Sequence, residues 1–427
     1  MKKLIEFKGM KDNKIIKNFL RVFTGTGLAQ IVSIIASIIL ARIYSPDDFG
    51  KLALMVTVVS LCSMVATFKY DAAITVAKKR KEIFKLVITS TFFVFLTFLI
   101  TLVIIITFSD FFMKRLNVDL FFLLLVPLGI LMVGLIQVFT SSNTRFKNYK
   151  LTSNTTVSQS FITAISQTIL GLLFYLSSGL IIGQLIGQIY KVFKLIKNQS
   201  YYFSATLYKK YISLKVIINT TKEYKDYPLK LGPATILSGV SNNIIILFLG
   251  IFFSSNIVGF YAMGQKLIRI PSAVLGTALR QIYFQEGAAI YRKNPIKLLG
   301  FTRKIFVILS IAAIVPSLIL FFLSEQIFYL LFGEEWILSG TISSILSVYL
   351  YFQFVSSPLI STFTILQKQK LHFYWELFRL ALLLGGVVIG GLNGNIVYFS
   401  WIITFTLSFS YLLLIAMVFW VLRSNDN

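Results

Sequence analysis

The sequence predicts an all-α membrane protein with about twelve transmembrane helices, arranged as two pseudo-symmetric six-helix bundles around a central cavity. Three observations lead to this fold class. Of the 427 residues, 56% are hydrophobic and only 13% are charged, whereas a soluble protein has about 25% charged residues. Apolar runs long enough to cross a bilayer recur along the whole chain. The basic residues are concentrated in alternate connections between these runs.

Apolar runs of roughly 18–27 residues predict the individual spans, because about 20 apolar residues in a helix cross the hydrocarbon layer. We place the twelve spans at residues 18–43, 49–77, 84–108, 120–142, 152–176, 179–196, 229–252, 257–284, 303–323, 337–363, 373–391 and 396–422. Six lysines precede the first run, which contains no small-residue cleavage site. We therefore expect a retained first span instead of a cleaved signal peptide.

The distribution of lysine and arginine predicts the orientation, because short cytoplasmic loops carry an excess of both residues. With the N-terminus in the cytoplasm, 32 of the 41 basic residues lie in cytoplasmic segments and four lie in outer segments. The other five lie inside predicted spans, namely Lys69, Lys266, Arg269, Arg280 and Arg379. Both termini are therefore expected in the cytoplasm.

The longest connection, residues 197–228, divides the chain into two halves of six spans each. It contains tyrosines among lysines, which suits an interfacial segment at anionic lipid headgroups. The predicted organisation is a basic cytoplasmic segment 1–17, an N-terminal six-helix bundle 18–196, the linker 197–228, a C-terminal six-helix bundle 229–422 and a cytoplasmic tail 423–427.

A short internal match indicates that the two halves are repeats. Residues 44–53, YSPDDFGKLA, align with residues 253–262, FSSNIVGFYA, at an offset of 209 positions. Both segments lie at the turn between the first and second spans of a half. Because six spans return the chain to the same side, the halves run in the same sense, which predicts a pseudo-twofold axis along the membrane normal and a site between the halves. Two unrelated helix corners can look equally similar, so that alternative stays open.

Three cations interrupt the eighth predicted span. Lys266, Arg269 and Arg280 fall on one side of a single helix, since the two arginines are rotated by about 300° and about 320° from the lysine. A charge at the centre of a bilayer costs at least about 2.5–3.5 kcal/mol. We therefore expect these side chains to line a wet cavity that binds an anion. The alternatives are snorkelling of Arg280, pairing with carboxylates, or a bend at Pro271 that rotates Arg280 out of line.

Three further residues are candidates for substrate contact. Lys69, in the second span, would add a cation from the facing half, although an internal pair with Asp71 explains it equally well. Arg21 lies at the cytoplasmic end of the first span. Asn242, in the seventh span, is suited to bind a sugar or a diphosphate, or to hydrogen-bond a neighbouring helix.

The sequence lacks the residues that several functional classes require. The single cysteine, Cys62, permits no intrachain disulfide, and there is no Cys/His cluster for a metal. Residues 259–266 resemble a phosphate loop only superficially, because they lack the Lys directly after the second Gly and the Ser or Thr that follows it. We therefore expect no catalytic residue, cofactor or metal site. The net charge of +25 does not indicate a nucleic-acid partner, because the basic residues lie in short loops between apolar runs.

Four stretches carry a resemblance to a known family. They are residues 40–50 (LARIYSPDDFG), 225–228 (KDYP), 259–271 (beginning GFYA) and 331–336 (LFGEEW). In this order they resemble the polysaccharide flippases of O-antigen, capsule and teichuronic-type pathways, and the resemblance covers nearly the whole chain. It implies the multidrug/oligosaccharidyl-lipid/polysaccharide exporter superfamily, whose fold is two six-helix bundles around a central cavity.

The resemblance implies a flippase of the bacterial inner membrane that moves an undecaprenyl-diphosphate-linked oligosaccharide by alternating access, for O-antigen or capsule synthesis. Its partners would be this lipid-linked substrate, the bilayer and a polymerase of the same pathway. The lipid II flippases of the superfamily carry a basic residue that aligns with Lys266, and they have two additional C-terminal spans. The alternatives are a cation-coupled multidrug exporter, which would need acidic cavity residues, and a polysaccharide polymerase or ligase, which usually has a large outer loop.

Overall fold

The computed structural model describes residues 14–116, 118–174, 177–199, 211–271 and 277–424. Within these ranges the chain forms helices and turns and contains no β-strand. The α-helices are α1 Lys14–Leu40, α2 Pro46–Ala66, α3 Tyr70–Val76, α4 Arg80–Thr107, α5 Ser109–Leu116, α6 Leu120–Arg145, α7 Tyr149–Phe174, α8 Gly179–Gln199, α9 Leu214–Glu223, α10 Gly232–Phe252, α11 Ser255–Pro271, α12 Thr277–Lys293, α13 Lys297–Phe332, α14 Ile337–Leu359, α15 Ser361–Ile365, α16 Gln369–Leu392 and α17 Ile396–Ser424. A π-helical turn, Tyr227–Leu231, precedes α10, and a 3₁₀ turn, Glu334–Trp336, precedes α14.

Ten of the described helices are long and apolar enough to cross a membrane, which confirms an all-α, multi-pass membrane protein. Two of the twelve predicted spans lie outside this set. In the first, the side chains are described only from Gly25 onward, and the apolar segment Gly25–Leu40 is shorter than 18 residues. The eighth, 257–284, overlaps α11 and α12, which have 17 residues each. Because residues 272–276 lie outside the described ranges, the prediction of one continuous helix there stays a prediction.

The second predicted span, 49–77, is wrong as a single helix, because α2 ends inside it and α3 completes it. Between them, Phe68 and Lys69 have left-handed backbone conformations with φ of 47° and 62°. The Thr67 hydroxyl accepts a hydrogen bond from the Lys69 N–H at 3.3 Å and donates one to the Asp71 carboxylate at 2.6 Å. Such local side-chain bonds give the backbone an alternative to the helix, and a hydropathy pattern does not reveal them.

The chain divides into two compact units. The first comprises Met1–Leu40 and Val58–Ile236, and the second comprises Ala41–Thr57 and Leu237–Asn427. The beginning of α2 is therefore grouped with the second unit, and its remainder belongs to the first. The domain boundaries that the sequence predicts stay a prediction.

In the first unit, two glycines bring α7 and α8 into close contact. A Cβ atom on Gly183 would lie 2.5 Å from Cγ of Gln167, and one on Gly187 would lie 2.0 Å from Oγ1 of Thr163. The buried Gln167 side chain donates from Nε2 to the Leu180 carbonyl at 2.7 Å. Small residues and interhelical hydrogen bonds of this kind hold membrane helices together, where burial of apolar surface gives little driving force.

In the second unit, the fully buried Trp336 lies in the core. Its ring contacts Phe49 and Phe260 edge-on, with centroid distances of 5.1 and 5.9 Å. Its Nε1 donates to the Ala41 carbonyl at 3.2 Å, so the polar atom of the buried indole is paired. Three of the four stretches that carry the sequence resemblance therefore meet at one side chain.

Two glycines of the second unit pack the repeated helix corners directly against each other. A Cβ atom on Gly50 would lie 1.7 Å from the Ser255 carbonyl oxygen, and one on Gly259 would lie 1.8 Å from the Pro46 carbonyl oxygen. Gly50 aligns with Gly259, and Pro46 aligns with Ser255, at the same offset of 209 positions. The contact is therefore reciprocal, as expected for two copies of one motif around a local twofold axis.

A second repeated feature occurs once in each unit. The turn after α6 contains Lys147 with a φ of 61°, and the turn after α15 contains Gln367 with a φ of 57°. In both turns the N–H of the next residue donates to the carbonyl five residues earlier, at 2.9 and 2.8 Å. This is the Schellman arrangement, in which glycine usually occupies the left-handed position. Its recurrence with non-glycine residues supports the internal repeat.

Candidate functional site

The depth of Lys266 in the fold follows from the contacts of α11 with α14. Phe260 contacts Trp336 immediately before α14, and a Cβ atom on Gly264 would lie 2.9 Å from the carbonyl oxygen of Ser339 in the first turn of α14. The two helices therefore run in the same direction. Lys266 is two residues, or about 3 Å, further along α11. It lies beside the second turn of α14, which is part of a helical segment long and apolar enough to cross a membrane.

The Lys266 side chain is half-buried and has no hydrogen-bond or ion-pair partner among the described residues. It shares the less buried face of α11 with Ala262, whereas Tyr261, Gln265 and Ile268 form the buried face. A lysine in a membrane layer loses hydration, which costs free energy unless another group solvates the ammonium. That the Lys266 ammonium binds an anionic ligand stays a prediction.

The other two cations of the predicted eighth span are described in part. Arg269 follows Lys266 by three residues in α11, but its side chain lies outside the described part of the structure. Arg280 lies in the first turn of α12, is exposed, and is close enough to His372 for their charges to interact. Whether the three cations share one face stays a prediction.

The candidate cations of the first unit are Lys69 and Arg21. Lys69 lies at the break between α2 and α3, where its side chain is half-buried and has no ion-pair partner among the described residues. The Asp71 carboxylate accepts its hydrogen bond from Thr67, so the internal pair with Lys69 is not formed. Arg21 lies within α1, and its side chain is outside the described part of the structure.

Asn242 is exposed and lies at the edge of a polar cluster of the second unit. Its Oδ1 accepts a hydrogen bond from Nη2 of Arg379 at 3.5 Å. The same guanidinium group binds the Glu376 carboxylate at 2.8 Å and the Tyr411 hydroxyl at 3.2 Å. Its Cζ lies 5.2 Å from the centroid of the Trp375 ring. Asn242 therefore links α10 to α16, which was the alternative to substrate contact, and a role in binding substrate stays a prediction.

The sequence does not predict that the ion pair of this cluster is buried. The spacing of Glu376 and Arg379 predicts an ion pair on a helix surface. The two side chains are only 16% and 7% exposed, because α10 and α17 cover this face of α16. The Nε of Arg379 has no partner among the described residues. The spacing of three residues fixes the pairing of two side chains on a helix, but it does not indicate which neighbouring helix covers them.

The ligands that the site could hold depend on the charged groups among the described side chains. No group of three or more His, Cys, Asp or Glu residues among them is placed to hold a metal ion. Lys266 and Lys69 are half-buried cations without a described carboxylate partner. An opposite charge at about 4 Å gains roughly 4 kcal/mol at an effective dielectric constant of about 20. That gain exceeds the insertion cost of about 2.5–3.5 kcal/mol for a basic side chain.

The fold is similar to that of several solved transporters. An inward-facing multidrug resistance MATE family transporter of the MOP superfamily matches with a TM-score of 0.72 and 13% identity over 93% of this chain and 96% of that chain. The lipid II flippase MurJ, in an inward closed conformation, matches with a TM-score of 0.71 and 15% identity over 94% and 87%. A MOP superfamily transporter from Pyrococcus furiosus matches with a TM-score of 0.60 and 12% identity over 96% of both chains. At these identities the likeness shows the fold alone.

Sequence comparison gives the family. None of the curated proteins compared with the chain matches it significantly. A family model described as polysaccharide biosynthesis protein matches residues 39–341. This range is more than half of the chain and contains Lys266, Trp336 and both glycine corners. The chain belongs to this family of polysaccharide biosynthesis proteins.

Proposed function

We propose that the protein is a flippase that moves undecaprenyl-diphosphate-linked oligosaccharide repeat units across the bacterial inner membrane for the synthesis of O-antigen or capsule. It works by alternating access and makes or breaks no covalent bond. Membership of the polysaccharide biosynthesis family supports the pathway. The transporter fold, shared with a lipid II flippase, supports movement of a lipid-linked substrate.

The half-buried Lys266 is the observation that carries this proposal. A lipid diphosphate has to carry its negative charge through an apolar layer, and a cation at this depth lowers that cost. In the proposed site, Lys266 binds the diphosphate during passage. The further proposed contacts are Arg269, Arg280, Lys69, Arg21 and Asn242. The oligosaccharide remains in water and the lipid chain remains in the bilayer.

The membrane potential provides a driving force in this scheme. With the cell interior negative, outward movement of an anion gains about 2.3 kcal/mol per charge for each 100 mV. Two net negative charges would gain about 4.6 kcal/mol, which is more than a thousandfold in an equilibrium constant. The direction agrees with export from the cytoplasmic to the outer leaflet.

Replacement of Lys266 tests the proposed function in cells. We expect Lys266→Ala to lower surface polysaccharide at least about tenfold, because losing about 1.4 kcal/mol of binding free energy already gives that factor. The lipid-linked precursor should accumulate, and Lys266→Arg should retain much of the activity because it keeps the charge. Lys293→Ala, at the exposed end of α12, removes the same charge elsewhere and should have no effect. Normal surface polysaccharide in Lys266→Ala would contradict the site.

The rival functions give different results with the same strains. A multidrug exporter would change the accumulation of cationic dyes and leave the precursor pool unchanged. A polymerase or ligase would leave single repeat units already translocated to the outer leaflet. Measuring dye accumulation and the leaflet that holds the precursor therefore separates the three functions.

A further inference from the structure

A cavity of 410 Å³ opens between α1 and α7 in the first unit. Its size lies within the range of about 300–1,000 Å³ that is usual for small-molecule sites. Backbone of α1 at Gly25 forms one side, and the polar residues Lys150, Ser153, Asn154 and Ser158 of α7 form the other. All the residues that line it belong to the first unit.

The close approach of α1 and α7 beside this cavity depends on Gly25. A Cβ atom on Gly25 would lie 1.9 Å from Oγ of Ser153, so the helices cross there at a distance that no larger residue permits. At Gly27 an added Cβ would meet nothing within 4 Å. The helices are therefore in close contact at Gly25, whereas the Cβ position of Gly27 faces open space.

The polar side chains of the cavity form a line along α7. Lys150, Asn154 and Ser158 are spaced by four residues and thus lie on one face of the helix. Lys150 and Asn154 are exposed and Ser158 is partly exposed, and none of them has a hydrogen-bond or ion-pair partner among the described residues. In a membrane protein such groups need water or a polar ligand, because lipid chains offer no hydrogen bonds.

The same face becomes apolar further along α7. Phe161 and Ile165 are 51% and 55% exposed and follow the polar line by less than two turns. On α1, the exposed Leu28, Ile31 and Ile35 continue from the cavity in the same way. A polar cavity that opens onto an apolar surface matches an amphiphile with a charged head and a hydrocarbon chain.

We propose that this cavity is a binding subsite for the diphosphate–sugar headgroup of a polyprenyl-linked substrate, with the prenyl chain lying over the adjoining apolar surface. Lys150 pairs with the diphosphate, and Asn154 and Ser158 hydrogen-bond to phosphate or sugar oxygens. Arg21 lies one turn before Gly25 in α1, so a second cation belongs to the same helix end. This assignment rests on the proposed function. It adds a place within the first unit where the substrate binds.

Protection of an introduced cysteine tests the subsite directly. The full-length protein would carry Cys62→Ser to remove its single cysteine, together with Ser158→Cys as the reporter. We expect farnesyl diphosphate, a short polyprenyl diphosphate, to slow maleimide labelling of the purified protein at least about fivefold. Farnesol and inorganic pyrophosphate should give little protection. Lys147→Cys, exposed at the same end of α7 but outside the cavity, should label at an unchanged rate.

The outcomes of this experiment separate the possible ligands. Equal protection by inorganic pyrophosphate would overturn the lipid-linked assignment in favour of a free diphosphate. Absence of protection by farnesyl diphosphate would overturn the subsite itself. In the same assay, Lys150→Gln should raise the concentration of farnesyl diphosphate needed for protection about tenfold. Lys147→Gln makes the same charge change outside the cavity and should leave that concentration unchanged.

Failure of the subsite and failure of the proposed function can be told apart. If the parent protein translocates lipid-linked oligosaccharide but Ser158→Cys is never protected, the subsite is wrong and the flippase function stands. If Ser158→Cys is protected but the parent protein translocates nothing, the cavity binds a polyprenyl diphosphate and the flippase function is wrong.

Discussion

At the residue scale, the buried Arg379 and the half-buried Lys266 of the second unit have different surroundings. The Arg379 guanidinium is paired with a carboxylate and hydrogen-bonded to two neighbouring helices. Lys266 has no such partner among the described residues. A paired buried cation is a structural element that is costly to disrupt, whereas a cation without a fixed partner can exchange ligands. This difference is why we propose ligand binding for Lys266 and a structural role for Arg379.

The buried pair leads to a prediction about stability. Glu376→Leu leaves the Arg379 guanidinium without its carboxylate, which should cost about 3–5 kcal/mol. The measurement is the thermal unfolding midpoint of the purified protein in detergent. The double variant Glu376→Leu/Arg379→Met removes both charges and should unfold at a higher temperature than Glu376→Leu alone. A double variant less stable than the single one would show that the uncompensated charge is not the cause.

The sequence identifies Lys266 as a candidate site residue but does not predict the burial of Arg379. Lys266 could be identified because a charged residue within an apolar run can be recognised from the sequence alone. The burial of Arg379 could not, because it depends on the placement of Asn242 and Tyr411, which are 137 and 32 residues away in the chain. The cavity lined by Gly25 and Ser153 was missed for the same reason.

At the element scale, the two corners that carry the internal repeat are held by a close backbone contact. Gly50 and Gly259 each lie where any side chain would overlap a carbonyl oxygen of the other corner. Close approach of this kind requires glycine. The corner sequences resemble each other because both copies make the same contact, which explains the match found at an offset of 209 positions.

Substitution of these glycines tests the corner contact. Gly50→Ala and Gly259→Ala each force a Cβ atom to within 2 Å of backbone, so the corners must separate and the thermal midpoint should fall by several degrees. Gly300→Ala, in α13, meets nothing within 4 Å and should be neutral or slightly stabilising, because alanine is the better helix former. An unchanged midpoint in both corner variants would contradict the contact.

Hydropathy predicted the positions of most helices but not their interruptions. The apolar runs located α4, α6, α7, α8, α16 and α17 to within a few residues. The break between α2 and α3 depends on hydrogen bonds of Thr67 that have no hydropathy signal. Similarly, the predicted ninth span, 303–323, is the centre of a helix of 36 residues whose ends are less apolar than its middle.

At the scale of the whole molecule, the distribution of charge predicts how the chain crosses the membrane. Cytoplasmic segments in the predicted topology hold 32 basic residues, against four in the outer segments. Residue 115 is therefore expected outside the cytoplasm and residue 210 inside it. A reporter that works only outside should be active when fused after residue 115, and a reporter that works only inside should be active when fused after residue 210. Alkaline phosphatase and green fluorescent protein fusions would measure this. The opposite pattern would invert the direction of transport proposed above.

The fold class and family could be predicted from the sequence, whereas the substrate path could be predicted only in outline. Apolar runs, charge distribution and the corner motifs are properties of the chain itself, and they sufficed for an all-α membrane transporter fold. The identity of the residues that meet an anion depends on which cations lack partners. Lys69 illustrates this, because its predicted partner Asp71 binds Thr67 instead.

Transport by the purified protein is the most direct test of the flippase function. The protein would be reconstituted in liposomes with a short polyprenyl-diphosphate-linked oligosaccharide in both leaflets, and a glycan-cleaving enzyme would be added outside. We expect the accessible fraction to rise from about half to nearly all of the lipid with the parent protein and to stay near half with Lys266→Ala. A parent protein that leaves the inner-leaflet half protected, at any membrane potential, would contradict the proposed function.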